Sequence, residues 1–208
     1  MTSCLRTSLR LVCLSLLATV MAAAQSQSPQ VPFQVTSQTF QNGSRLPQIM
    51  INNILQNGVN ICTPDGSTGG NQSPQLSWTG AKPGTASFAV VLYNATAAFT
   101  HWGMYNISPQ TTSLPQDAGV AGSQYGPQVV NDFFFGAEYD GPCPPSTVRP
   151  FVHKYVFTVY DLDITLHLPG TKNFPPSGET LYQALIRAGE RGQILARASI
   201  FGTYSTGQ

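Results

Sequence analysis

The chain has 208 residues, of which only 9% are charged, and ten Lys/Arg against nine Asp/Glu give a formal net charge of +1. Without a basic surplus there is no footprint for a phosphate-backbone partner, so nucleic acid is excluded as the expected ligand. Asn, Gln, Ser and Thr must carry the solubility that charge usually supplies.

Arg6 and Arg10 precede an apolar run at 11–20, which Ala22, Ala23 and Ala24 close with small residues. This three-part pattern is that of a secretory signal peptide cleaved after Ala24. The run is shorter than the roughly 20 apolar residues a spanning helix needs, and no later segment reaches that length, so no transmembrane segment is expected. Removing Arg6 and Arg10 leaves eight basic against nine acidic residues, a mature chain of net charge −1. The expected organisation is a leader at 1–24, a flexible Pro-containing lead-in at 25–32 and one folded domain at 33–208, secreted or periplasmic.

Apolar and β-branched runs punctuated by Gly and Pro predict strands over 33–39, 88–93, 102–107, 155–162 and 199–204. Long turn-rich loops are expected at 58–73, 115–126 and 136–150, and loops of that length in a compact domain are usually functional or disordered. Cys4 and Cys13 fall in the leader. Cys62 in the first loop and Cys143 in the third remain as an even pair, which in an exported chain predicts one disulfide, with two unrelated thiols as the alternative. Such a bridge would stabilise the fold by about 4 kcal/mol on the chain-entropy account. No paired Cys or His spacing completes a zinc site, and neither a metal nor a cofactor is expected.

Asp161 and Asp163 are two apart in a strand pattern, which puts both on one face, and a solvated face is the expected reading over a catalytic pair. The single helix pattern begins near Gly178, with Leu181 and Leu185 on its apolar side, together with Tyr182 and Ile186, and Gly189 or Gly192 to end it. Trp78 and Trp102 sit in apolar strand patterns and are expected to pack in the core. His167 belongs to no motif. Four Asn-x-Ser/Thr triplets, at Asn42, Asn71, Asn94 and Asn106, match the glycosylation acceptor and arise readily by chance in so polar a chain.

Four segments carry more than composition. They are Asn71-Gln72-Ser73-Pro74-Gln75-Leu76-Ser77-Trp78; His101-Trp102 with Asn106; Tyr139-Asp140-Gly141-Pro142-Cys143-Pro144-Pro145 followed by His153-Lys154-Tyr155; and Ile194-Leu195-Ala196-Arg197-Ala198 with Gly202-Thr203-Tyr204. In this order and spacing the chain resembles the phosphatidylethanolamine-binding protein family, in its bacterial branch of Raf-kinase-inhibitor-like proteins. Lys154 stands where that branch usually has Arg.

The resemblance implies a mainly β fold, a β-sandwich with a short C-terminal helix. It also implies a shallow pocket for a small anion or phospholipid headgroup at His101, His153 and Tyr155, with Tyr139, Gly141, Pro142 and Pro144 as walls. Two imidazoles and a phenol suit an anion, since each donates a hydrogen bond and a His can become cationic near neutral pH. The family's Asp-Pro-Asp-x-Pro turn is replaced by Asn94-Ala95-Thr96-Ala97-Ala98. Asn94 can stand in for one acceptor without its charge, so the nearby His should be less readily protonated.

The leading expectation is an exported, non-enzymatic binding protein. A protein-interaction module acting through its loops, as an inhibitor of a protease or kinase, is the first alternative, and a His-dependent hydrolase or lyase the second. Homodimers are implied by the bacterial relatives alone.

Overall fold

A computed structural model describes residues 31–171 and 173–207. The expected signal peptide, and the lead-in up to residue 30, lie outside these residues. Nine strands form a three-stranded sheet in the order β1 (Gln34–Thr36), β4 (Leu76–Thr79), β7 (Ser113–Leu114), a hairpin of β2 (Leu55–Gln56) and β3 (Val59–Asn60), and a four-stranded antiparallel sheet. The large sheet runs β6 (Phe99–Ile107), β5 (Ser87–Asn94), β8 (His153–Leu162), β9 (Ile194–Tyr204). All five predicted strands are present, β6, β8 and β9 starting two to five residues earlier than their apolar runs.

Period-two alternation explains the layers. Phe88, Val90 and Leu92 face the small sheet and join Val35, Leu76, Trp78 and Leu114 in the main core. Ala89 faces the opposite way, into a second cluster with Leu181, Ala184, Leu185 and Ala188 of α1 (Gly178–Glu190), the one α-helix among the described residues. Trp78 meets Phe88 edge-on at 5.3 Å, and both tryptophans are fully buried, as their patterns predict.

Helix α1 starts where Ser177 Oγ accepts the Thr180 N–H at 3.2 Å. We expect Ser177→Ala to cost about 1 kcal/mol, read as a lower midpoint in urea unfolding at unchanged slope. Its apolar side is narrower than the sequence suggests. Leu181 and Leu185 are buried with Ala184 and Ala188, whereas Tyr182 and Ile186 turn outward and are exposed. Leu181 packs over Gly103 of β6, and Ala184 and Ala188 complete the buried side of the helix.

The reading of Asp161 and Asp163 also needs correction. A register shift between Asp161 and Leu162 breaks the alternation, and the two acids part. Asp161 is fully buried and accepts from Lys82 N at 2.8 Å and Thr85 Oγ1 at 2.7 Å, pinning the 82–85 turn, while Asp163 is exposed.

Candidate functional site

Three strands converge on one polar row at the end of the main core. Asn94 pairs with Tyr155, and Tyr155 with Gly202; two residues earlier on β8, His153 pairs with Tyr204. Strand alternation therefore puts His153 and Tyr155 on the same, core-facing side. His101 arrives there differently. Leu92 pairs with Trp102 and Tyr93 with Thr100, so His101 is an extra residue in β6. Regular pleating would turn His101 away from the side Trp102 takes, and the bulge lets both point inward. The His101 ring meets Tyr155 edge-on at 5.2 Å and the His153 ring stacks over it at 6.4 Å, giving the row His101, Tyr155, His153. All three are buried.

Hydrogen bonds fix the proton positions. His101 Nδ1 lies 2.8 Å from the Asp140 carbonyl oxygen, which can only accept, so Nδ1 carries the proton and Nε2 of the neutral ring keeps its lone pair. Burial lowers the His101 pKa from 6.5 to about 4, against the upward pull of the Asp140 and Gly141 carbonyls. Asn94 Oδ1 accepts from Thr96 N at 3.1 Å and Ala97 N at 3.2 Å, which fixes its amide orientation and aims Nδ2 at His153 Nδ1, 2.9 Å away. His153 is thus held with its proton on Nε2. Burial lowers its pKa too, and the Pro150 carbonyl opposes the shift. A carboxylate at position 94 would favour the doubly protonated ring; Asn94 selects the neutral one. The sequence foresees this direction, but burial is the larger cause.

Burial pushes the Tyr155 hydroxyl far above its usual pKa, so it stays protonated as a donor. That hydroxyl has no hydrogen-bond partner among the described residues. An unsatisfied buried hydroxyl costs roughly 1–3 kcal/mol. Trp78 Nε1 is the other buried polar atom without a partner among the described residues, and of the two it is the Tyr155 hydroxyl that lies beside the imidazoles.

The 139–145 loop forms the adjacent wall. Asp140 is its anchor: Oδ1 accepts from Asn71 Nδ2 at 3.2 Å and Asn52 Nδ2 at 3.4 Å, and Oδ2 from Asn131 Nδ2 at 2.7 Å. Its backbone N–H donates to the His101 carbonyl at 3.1 Å. Gly141 donates to Asn71 Oδ1 at 2.7 Å, and a Cβ there would run into the Met50 carbonyl oxygen, so no other residue fits without moving backbone. Pro142 accepts from Asn52 N and Pro144 from Thr206 Oγ1 through their carbonyls, and Cys143 is disulfide-bonded to Cys62. The bridge joins the first long loop to the third. Tyr139 turns away from the row: its ring packs against Trp102 and its hydroxyl donates to the Met50 carbonyl at 2.9 Å.

The structure therefore gathers His101, His153, Tyr155 and Asn94, places Gly141, Pro142 and Pro144 in the supporting loop, and assigns Tyr139 to the core. Of the asparagines that hold Asp140, Asn71 opens the first motif segment, whereas Asn52 and Asn131 carry no sequence signal beyond being Asn. The Phe133-Phe134-Phe135 run was visible but unread. Phe99 and Phe133 contact the His101 ring at 4.8 and 5.3 Å, and Phe135 stacks on Phe133 at 5.6 Å. Phe134 and Phe135 are 79% and 64% exposed. At the other end of the row, the exposed Val148, Phe151 and Val152 lead into His153.

Comparison with known proteins identifies the family and the fold. Residues 36–205 match the family described as phosphatidylethanolamine-binding protein. The chain is 34% identical over 155 residues to the UPF0098 protein YbcL of Escherichia coli, covering 71% of this chain and 78% of that one. It is 35% identical over 144 residues to a UPF0098 protein of Methanothermobacter thermautotrophicus, covering 67% and 86%. The crystal structure of E. coli YbcL, described as a new member of the mammalian PEBP family, superposes with a TM-score of 0.65 at 30% identity, over 84% of this chain and 99% of that one.

Proposed function

This chain belongs to the phosphatidylethanolamine-binding protein family, and on that footing we propose that it is an exported, non-enzymatic binding protein whose His101, Tyr155 and His153 row takes a phosphate-type headgroup. The observation that carries the reading is the Tyr155 hydroxyl, buried, protonated and unpartnered among the described residues between two imidazoles. Tyr155 O–H and His153 Nε2–H donate to an oxyanion. The His101 Nε2 lone pair accepts, so it favours an anion that still carries a proton, such as a phosphate monoester with its second pKa near 6. Neutral donors suit reversible capture, because no buried charge is left behind when the anion departs.

The apolar rim favours a headgroup attached to a lipid over free phosphate. Phe134 and Phe135 at one end of the row, and Phe151 and Val152 at the other, offer acyl chains a surface beside the polar centre. The disulfide suits an oxidising compartment and supports export. Neither ring nitrogen bonded here is oriented by a carboxylate, and His101 Nδ1 goes to a backbone carbonyl, which favours binding over general-base catalysis. The exposed rim also favours the protein-interaction alternative.

Tyr155→Phe separates these readings. It removes one hydroxyl that none of the described residues uses, so we expect stability to be unchanged or to rise by about 1 kcal/mol. Binding of phosphoethanolamine, measured by native mass spectrometry on 25–208, should weaken roughly tenfold. Sulfate, which has no proton to give His101, should bind the wild type more weakly than phosphoethanolamine. Equal binding by wild type and Tyr155→Phe would remove the row as a ligand site and turn the search to protein partners.

A further inference from the structure

The outer face of the large sheet, opposite the histidine row, carries a separate cleft of about 380 Å³ beside α1. Its floor is Val91, Val156 and Thr158, and its helix wall is Leu181, Leu185 and Tyr182. The volume lies in the range of small-molecule sites. Tyr93 and Tyr160 from the sheet and Tyr182 from the helix put three phenol rings into the lining, and Tyr93 and Tyr182 are exposed.

Two carboxyl groups, Asp132 and Glu179, lie in the same lining with Thr100 and Gly178, and no lining residue is basic. Each acid is held by one oxygen. Asp132 Oδ2 accepts from Thr100 N at 2.7 Å, and Glu179 Oε1 accepts from Gln183 Nε2 at 2.8 Å. Thr100 also packs closely on the helix start, since a Cβ on Gly178 would meet its side chain at 2.9 Å. Asp132 is thereby tied to β6, while Glu179 is held within α1. Arg197 acts on Tyr160 from β9 and is not part of the lining.

Apolar floor, tyrosine faces and two carboxyl groups in a lining without a basic residue together match one ligand chemistry. We propose that this cleft binds a small organic ammonium ion, its cationic head toward Asp132 and Glu179 and its apolar body along Val91, Val156 and Leu185. Aromatic faces attract cations through their quadrupole, and desolvation inside a cleft strengthens the effect. Helix-start acids commonly only complement the helix dipole, and that role explains Glu179 but neither Asp132 nor the three tyrosines.

The test is an NMR titration of the methyl groups of Val91, Val156 and Leu185 with n-hexylammonium, n-hexanol and n-hexanoate. The proposal expects saturable shifts with hexylammonium, much weaker ones with hexanol and none with hexanoate. Asp132→Asn with Glu179→Gln keeps the Thr100 and Gln183 acceptors while removing both charges, and should weaken hexylammonium roughly tenfold. Tyr182→Ala, at an exposed position, should weaken it with unchanged far-ultraviolet circular dichroism. Equal binding of hexanol and hexylammonium would show a merely greasy groove and overturn the proposal, as would the absence of any saturable shift. Because Tyr155→Phe leaves this face untouched, the outcome is independent of the phosphate site.

Discussion

Asp140→Ala is expected to cost about 4 kcal/mol and to lower the melting temperature by roughly 10 °C. The side chain is 4% exposed and gathers three side-chain amides, from Asn52, Asn71 and Asn131, each from a different segment. Alanine would strip the acceptor from the buried Asn52 amide and the part-buried Asn71 amide and leave Asn131 Nδ2 with the Glu138 carbonyl alone, and a buried donor without its acceptor is the expensive way to lose a hydrogen bond. Asp140→Asn, which keeps one acceptor oxygen, should cost less than half as much. The effect should reach the site, because the Asp140 carbonyl holds His101 Nδ1 and its N–H holds the His101 backbone. Urea unfolding of the two variants checks the order. A wild-type-like midpoint for Asp140→Ala would mean that the amide cluster is not what secures the loop.

Acidification should destabilise the fold through His101. Its folded pKa of about 4 lies below the ordinary 6.5, so between these values the unfolded chain binds a proton that the folded chain refuses. Stability is therefore fully present above about pH 6.5 and falls as pH drops toward 4. The total is about 3 kcal/mol, since each pKa unit is worth 1.36 kcal/mol. His153, shifted the same way, adds to the loss. Carboxyl groups also titrate in this window, so the contribution is read as a difference. Wild type should lose about 3 kcal/mol more than His101→Gln between pH 7.5 and pH 4 in urea titrations. Equal losses would show that His101 is readily protonated in the folded protein.

Much of the fold was legible because its strands alternate cleanly and its helix is bracketed by Gly178 and Gly192. The sandwich itself came from the resemblance of four ordered motifs. Legibility ended where local periodicity is broken by tertiary structure. Asp161 was misread because a register shift at the end of β8 separates it from Asp163. Tyr182 faces outward because Ala184 and Ala188, which carry little signal in a hydrophobic pattern, complete the buried side with Leu181 and Leu185. Within the site, the family resemblance names His101, His153 and Tyr155, but it does not show the bulge that turns His101 inward. Nor could the amide of Asn94 be seen to set the His153 tautomer, since that depends on two backbone N–H groups of the following turn. The asparagines around Asp140 come from positions up to 88 residues away and have no common motif.

The central claim is that an oxyanion binds at the row formed by His101, Tyr155 and His153. Histidine ring NMR across a pH titration, with and without phosphoethanolamine, reads it directly, because the chain has three histidines and His167 is exposed and outside the site. The account predicts saturable ligand-induced shifts of the His101 and His153 resonances, with both pKa values rising when the anion is bound, while His167 stays in place. Resonances of His101 and His153 that remain unmoved at saturating ligand, or move no more than His167, would contradict it.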